Sequence, residues 1–168
     1  GRPQDAGYPI RGIVQGPFLL IRNFKTDRWP AGNPQTGYLN TDGSPTKTEI
    51  LNSHRRGTKE NHWELAFGLR PEYEMFNIET DRECMNNIAD AERYAEIRAQ
   101  MERTMTQALR TEGDPRVLGK GDVFDHYPYA NTREKSFYSR YLEDPTSVRA
   151  GWVNPNDFET SPQNQNER

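Results

Sequence analysis

Three histidines, one cysteine and a scatter of acids are the residues here that could do catalytic or metal chemistry. His54 and His62 stand eight positions apart, too far for a two-histidine zinc site on one helix turn. His62-Trp63-Glu64 lacks the second histidine of a zincin. Cys84 is single, which excludes an internal disulfide and a multi-cysteine zinc site. Its neighbours Glu83, Met85, Asn86 and Asn87 offer no base, and nearby acid raises a thiol pKa. Asp125-His126 are adjacent, but sequence neighbours seldom face one another in extended chain. Gly119-Lys120-Gly121-Asp122 is too short for a phosphate loop, and no Gly-x-Ser-x-Gly elbow or dinucleotide fingerprint occurs. No nucleophile, base and oxyanion donor assemble from these residues. The other candidates lie in a stretch rich in turn formers, Lys25 to Pro45, which holds Arg28, Trp29 and Tyr38. Trp29 either plugs this loop onto a core or faces a ligand.

The elements that would position such groups come from a chain short of aliphatic residues. Leu, Ile, Val and Phe make up 28 of 168 residues, about 17%. That is low for a domain that must bury about two-thirds of its unfolded surface. Three Trp, eight Tyr and a net charge of only -3 argue against wholesale disorder. Near-balanced charge also argues against general nucleic-acid binding. No apolar run reaches the length of a membrane span, no signal-peptide layout opens the chain, and no Asn-x-Ser/Thr sequon occurs. The first residue is not Met, and a fragment of something larger is the expectation.

Alternation predicts a hairpin from Tyr8–Val14 and Phe18–Phe24 across Gln15-Gly16-Pro17. A third strand is expected over Tyr73–Ile78. Ser44 and Pro45 mark a helix start running to Asn52, and His62–Phe67 predicts another that Gly68 stops. Asp90 is read as the N-cap of the best helix, Ala91–Thr111. Its stripe is Tyr94, Ile97, Met101, Met105, Ala108 and Leu109, closed by Gly113 and Pro115. After Gly121, Tyr127, Tyr129, Phe137, Tyr138, Tyr141 and Trp152 are scattered without a period. That predicts an irregular, aromatic-rich extended tail over 122–168, frayed from Ser161 to Arg168.

Two stretches, Arg70-Pro71-Glu72-Tyr73-Glu74-Met75-Phe76-Asn77-Ile78-Glu79-Thr80-Asp81 and Asn86-Asn87-Ile88-Ala89, resemble the C-terminal signature of type I sulfatases. Phe76-Asn77 stands where that pattern has Tyr-Asp, and Arg82 replaces its Pro. Gly7-Tyr8-Pro9-Ile10-Arg11 and Leu20-Ile21-Arg22-Asn23-Phe24 resemble the preceding strand pair. Asp27-Arg28-Trp29-Pro30-Ala31-Gly32-Asn33-Pro34 and Asp42-Gly43-Ser44-Pro45-Thr46-Lys47 are similar to bacterial relatives of heparan N-sulfatase. Gly113-Asp114-Pro115-Arg116-Val117 fits the end of the family's C-terminal helix. The likeness covers about Gly1 to Tyr129.

The resemblance implies an α+β fold: a small antiparallel sheet of about four strands packed by a long C-terminal helix, over 1–121, with the tail beyond. It also implies a parent sulfatase acting on sulfated carbohydrate, whose N-terminal catalytic domain is this part's partner. Calcium and a formylglycine are expected in that parent and no cofactor in this chain. Cys84 precedes Met-Asn-Asn, so it is not the modified cysteine of a Cys/Ser-x-Pro-Ser-Arg motif, and no catalytic or metal residue carries over. Arg28 and Lys47 become candidates for pairing with sulfate or carboxylate groups, and Trp29 for stacking on a sugar ring. Against that, Arg28 and Lys47 have loop carbonyls, Asp27 and Asp42 as nearer partners. The family suggests periplasm or export, though no residue of this chain addresses it. Rival expectations are a free-standing carbohydrate-binding or scaffold module, and an oligomerisation segment acting through the tail.

Overall fold

The computed structural model describes residues 7–59, 61–128 and 131–159. The chain is α+β, and its contacts gather it into two compact units. One, here the sheet unit, comprises Tyr8–Asp27 and Arg70–Tyr127; the other, the helical unit, holds Arg28–Leu69 and the described residues from Pro128 onward, together with Gly7. The edges therefore fall at 7/8, 27/28, 69/70 and 127/128, against the single edge expected at 121/122.

In the sheet unit, β1 (Ile10–Gln15) and β2 (Phe18–Asn23) form the expected hairpin, and β3 (Tyr73–Asn77) pairs antiparallel with β2. Among the described residues the order is β1-β2-β3, three strands rather than about four. The stretches with enough length for a fourth, 25–45 and 121–159, carry turns and short helices. Register puts Ile13 opposite Leu20 and Leu20 opposite Met75, which makes one apolar row across the sheet.

Helix α3 (Ala95–Thr111) covers that row. Met101 and Met105 pack with Leu20, Met75 and Ala89, and Ile13, Phe18, Tyr73, Tyr94 and Leu109 close around them. The helix starts later than expected. A 3-10 turn over Glu92–Tyr94 precedes it, and Asp90 does not cap it but accepts from Arg98 Nη1 (3.4 Å). The apolar stripe is also narrower: Ile97 and Ala108 are exposed, and the buried spacing is Met101-Met105 with Leu109 half-buried. At the other end the expectation holds. Gly113 sits at C′ with φ 74°, and Asp114 N–H closes the turn on the Leu109 carbonyl (2.8 Å). No long helix closes the described chain, because α3 is the longest and ends at Thr111.

The outer edge of β3 is sealed by the segment that follows it. Asn87 Oδ1 accepts from Met75 N–H (2.9 Å) and Ala89 N–H (3.0 Å), and its Nδ2 donates to the Tyr73 carbonyl (3.3 Å). Ile88 N–H donates to the Met75 carbonyl (2.8 Å). Upstream, Asn77 Oδ1 accepts from Glu79 and Thr80 N–H, and the Asp81 carboxylate accepts from Met85 and Asn86 N–H. These amide groups hold the Asp81 carboxyl below its usual range. Asn77, Asp81 and Asn87 thus serve as backbone surrogates that turn the chain from strand to helix.

The helical unit is built from α1 (Pro45–Arg55), α2 (His62–Phe67) and α4 (Phe137–Glu143), with 3-10 turns at Pro34–Thr36 and Pro155–Asp157. Ser44 Oγ accepts from Lys47 N–H (3.1 Å), the cap read from sequence, though α1 continues past Asn52 to Arg55. From Pro128 onward, the described part of the segment expected as an irregular tail is part of this unit, while its start up to Tyr127 belongs to the sheet unit. Phe137, Ala150 and Val153 pack with Leu39, and Tyr141, Val148, Trp152 and Phe158 surround them. Ser161 to Arg168, expected to fray, lie outside the described residues, as does Tyr129.

In the sheet unit Arg11 Nε donates to Asp114 Oδ2 (2.7 Å), which ties β1 to the end of α3. Partial burial pushes the Asp114 carboxyl up, but Arg116 N–H and the Arg11 guanidinium outweigh it and hold it below its usual range. A depressed carboxyl contributes stability that is present above its unfolded pKa and lost as pH falls through the folded one. Asp114→Asn is therefore expected to cost about 1–3 kcal/mol at pH 7. That gap from wild type should close between about pH 5 and pH 2, as urea denaturation at a series of pH values would measure.

Candidate functional site

The loop read from sequence as the best site is ordered by aromatic packing. Its residues 31 to 39 are mostly buried. Trp29 is half-buried and meets Trp63 edge-on (6.3 Å between centroids, 72°). Trp63 is buried on α2, stacks on His54 of α1 (4.1 Å, 12°), and its Nε1–H donates to Tyr38 Oη (3.0 Å). Tyr38 is fully buried, leans on Phe67 (4.6 Å), and has a positive φ of 56°. Burial chiefly pushes its hydroxyl pKa far up, so it stays a neutral hydrogen-bonding group. Trp29, Tyr38, Trp63 and Phe67 make one cluster with Leu51 and Ala31. The plug reading of Trp29 is thus realised on one side of its ring, while part of its surface remains exposed.

Arg28 is half-buried, and its Nη1 donates to the Gly7 carbonyl (2.9 Å). Of the two alternatives open in the sequence, this bond follows the carbonyl one.

Lys47 is turned into the protein and, like Arg28, follows the loop-carbonyl alternative. Its side chain is 1% exposed. Nζ donates to the carbonyls of Gly37 and Thr41, each at 2.7 Å, and lies 3.2 Å from Asp157 Oδ2. Three donors meet three acceptors, so the ammonium is fully committed inside the protein. Burial pulls its pKa down and Asp157 opposes that pull, with a weaker attraction from Asp42. Asp157 is itself 0% exposed. Its Oδ2 also accepts from Asn154 N–H (2.9 Å), while Oδ1 meets no donor among the described residues.

Arg28 and Trp29 are brought together at the loop's start by adjacency, and Lys47 is drawn inward away from them. Sequence reasoning missed Asp157, which neutralises Lys47, and His54, which backs Trp63. It also missed Glu159, whose carboxylate takes Arg55 Nε (3.2 Å) and Nη2 (3.1 Å). The partners of Asp157 and Glu159 are about a hundred positions distant, and no local pattern marks such pairs. Cys84 is half-buried with φ 53°. Burial first, then Asp81, Glu83 and Glu74, push its thiol pKa up, as its acidic neighbours suggested. Among the described residues no three His, Cys, Asp or Glu side chains gather where a metal ion could sit. No described helix is long and apolar enough to cross a membrane.

Compared with known protein families, the chain matches none, and no curated protein matches it either.

The Lys47–Asp157 pair generates a direct test. Removing one member leaves the other charged and unpaired, which costs about 3–5 kcal/mol, whereas replacing both with apolar groups is often near neutral. Lys47→Met should therefore lose about 3–5 kcal/mol in urea denaturation. Lys47→Met combined with Asp157→Leu should recover a large part of that loss.

Proposed function

We propose that this chain is the C-terminal portion of a type I sulfatase acting on sulfated carbohydrate, a part that does no chemistry itself. The observation that carries this reading is the use made of the Arg70–Ala89 stretch. The residues that resemble the family's signature form β3, the Asn77 and Asp81 turns and the Asn87 seal, and they lead into α3 in the order the resemblance implies. Their work is architectural, which suits a part that carries no nucleophile of its own.

In this reading the nucleophile, a formylglycine, and the calcium that stabilises charge on the sulfuryl group belong to a separate N-terminal catalytic domain, which is the partner. The residues of this chain then contribute shape and charge beside the pocket. Arg28 and Trp29 are the pair offered for this: a guanidinium suited to a sulfate or carboxylate, next to an indole face suited to a sugar ring. Lys47 belongs instead to the frame that holds their loop.

The reading is tested at three levels. Incubated with calcium and an aryl sulfate or N-sulfoglucosamine, this chain alone should release no sulfate, and turnover would sink the non-catalytic role. The coding sequence upstream of Gly1 should contain a Cys/Ser-x-Pro-Ser-Arg motif in frame; a start codon with no such motif would favour a free-standing module instead. In the whole enzyme, Arg28→Ala should raise KM for the sulfated sugar about tenfold, the equivalent of one charged contact, with kcat little changed. An unaltered KM removes Arg28 from the pocket.

A further inference from the structure

We propose that residues 150–159 act as a clasp: their docking holds the loop 33–43 in a strained conformation, and the loop relaxes when they release. The inference concerns the helical unit alone and stands whether or not that loop meets a substrate.

The strain is visible in the backbone. Gly37 and Tyr38 are successive residues with positive φ, 74° and 56°. Glycine adopts that region freely, but a tyrosine there is sterically disfavoured and persists only where its surroundings over-determine it. The surroundings come from two sides: Trp63 and Phe67 of α2 hold the Tyr38 ring, and the clasp holds the backbone around it. Glu159 N–H donates to the Pro34 carbonyl (3.1 Å), Trp152 Nε1–H donates to the Leu39 carbonyl (2.8 Å), and Gly43 N–H donates to the Trp152 carbonyl. Asp157 holds the Lys47 ammonium that in turn holds the carbonyls of Gly37 and Thr41. The Phe158 ring packs so closely on Gly37 that a Cβ there would come within 3.3 Å of it. Tyr38 Oη faces Glu159 Oε1 at 3.5 Å. Loop positions 34, 37, 38, 39, 41 and 43 are thus each tied to the clasp, directly or through Lys47.

Each segment leans on the other. Within the clasp, among the described residues, the bonding is the capping box of Asn154 and Asp157 and the bond from Asp157 N–H to the Asn154 carbonyl (2.9 Å). The loop has its own turns, Thr36 and Tyr38 N–H to the Asn33 carbonyl, Gly37 N–H to Pro34, Asn40 N–H to Ala31 and Thr41 N–H to Tyr38, with Trp63 and Tyr138 each bonding it once from outside the clasp. Two such segments, each supplying what the other lacks, form one cooperative element. Because Asn40 N–H reaches Ala31 and Gly32 N–H reaches Trp29 (3.4 Å), release of the clasp would also loosen the stretch that carries Arg28 and Trp29.

Hydrogen exchange followed by mass spectrometry on the full chain tests this. In Asp157→Asn, peptides covering 33–43 and 150–159 should both exchange faster, by about tenfold or more, while peptides of β2 and α3 keep wild-type rates. Trp152→Phe keeps the ring and removes only the bond to Leu39, so it should give a smaller acceleration in the same two segments even if Asp157→Asn fails to fold. Unchanged protection of 33–43 in Trp152→Phe would overturn the proposal. So would wild-type protein in which 150–159 exchanges quickly while 33–43 stays protected, or variants in which β2 and α3 accelerate equally.

Discussion

One buried ammonium organises the helical unit. Taking Lys47 out of water is costly unless every donor finds an acceptor, and a carboxylate must be near enough to balance the charge. The chain meets both conditions by bending. The loop presents two carbonyls from residues four apart, Gly37 and Thr41, and Asp157 arrives from the far end of the described chain. The pair is poor as a source of net stability, since much of what the loss of one charge costs is recovered when both are replaced. Its value is selectivity. A loop of Gly, Pro, Asn and Thr has many conformations of similar energy, and only those that aim two carbonyls at one point satisfy Lys47. The orphan Asp157 Oδ1 shows that the match is incomplete on the acid side.

The sheet unit has a different logic, with apolar packing first and polar groups finishing the edges. Met101 and Met105 fill the space over Leu20 and Met75, where flexible thioethers suit an irregular gap between a helix and a short, twisted sheet. Asn87 then supplies a donor and an acceptor where β3 would otherwise need a neighbour. Side-chain amides imitate a strand over the width of two residues, and the sheet can stop at β3.

Local signals were legible in the sequence and distant pairings were not. Ser44-Pro45 announced the start of α1 because a cap is settled within one turn, and Gly113 announced the end of α3 for the same reason. The hairpin followed from alternation on both sides of Gly16-Pro17. Asp90 misled because a capping residue is recognised by type alone, whereas the 3-10 turn over Glu92–Tyr94 moved the helix start past it. Ile97 misled because a periodic stripe marks which residues can be buried, while the width of the facing sheet decides which are. For Lys47 the loop carbonyls and Asp42 are partners the sequence offers, but nothing nearby reveals Asp157, a carboxylate so far along the chain. The segment after Gly121 looked irregular because its order comes from contacts with residues 34 to 43, none of which leaves a period in its own sequence. Trp29, adjacent to Arg28, was correctly singled out as more than linker, since a large ring in a turn-rich stretch must be covered by something.

The interleaving of the two units sets an order of events during synthesis. Every residue of the sheet unit is present once Tyr127 has emerged, so its core can close while the chain is still growing. The helical unit is different. Its first piece, 28–69, emerges early with Lys47 aboard, yet Asp157 is among the last described residues to be made. Until then the ammonium stays in water and α1 and α2 wait without their cover. Between the emergence of Tyr127 and that of Asp157, a finished sheet unit is attached to an unfinished helical one, and that half-built chain is the form a chaperone would meet.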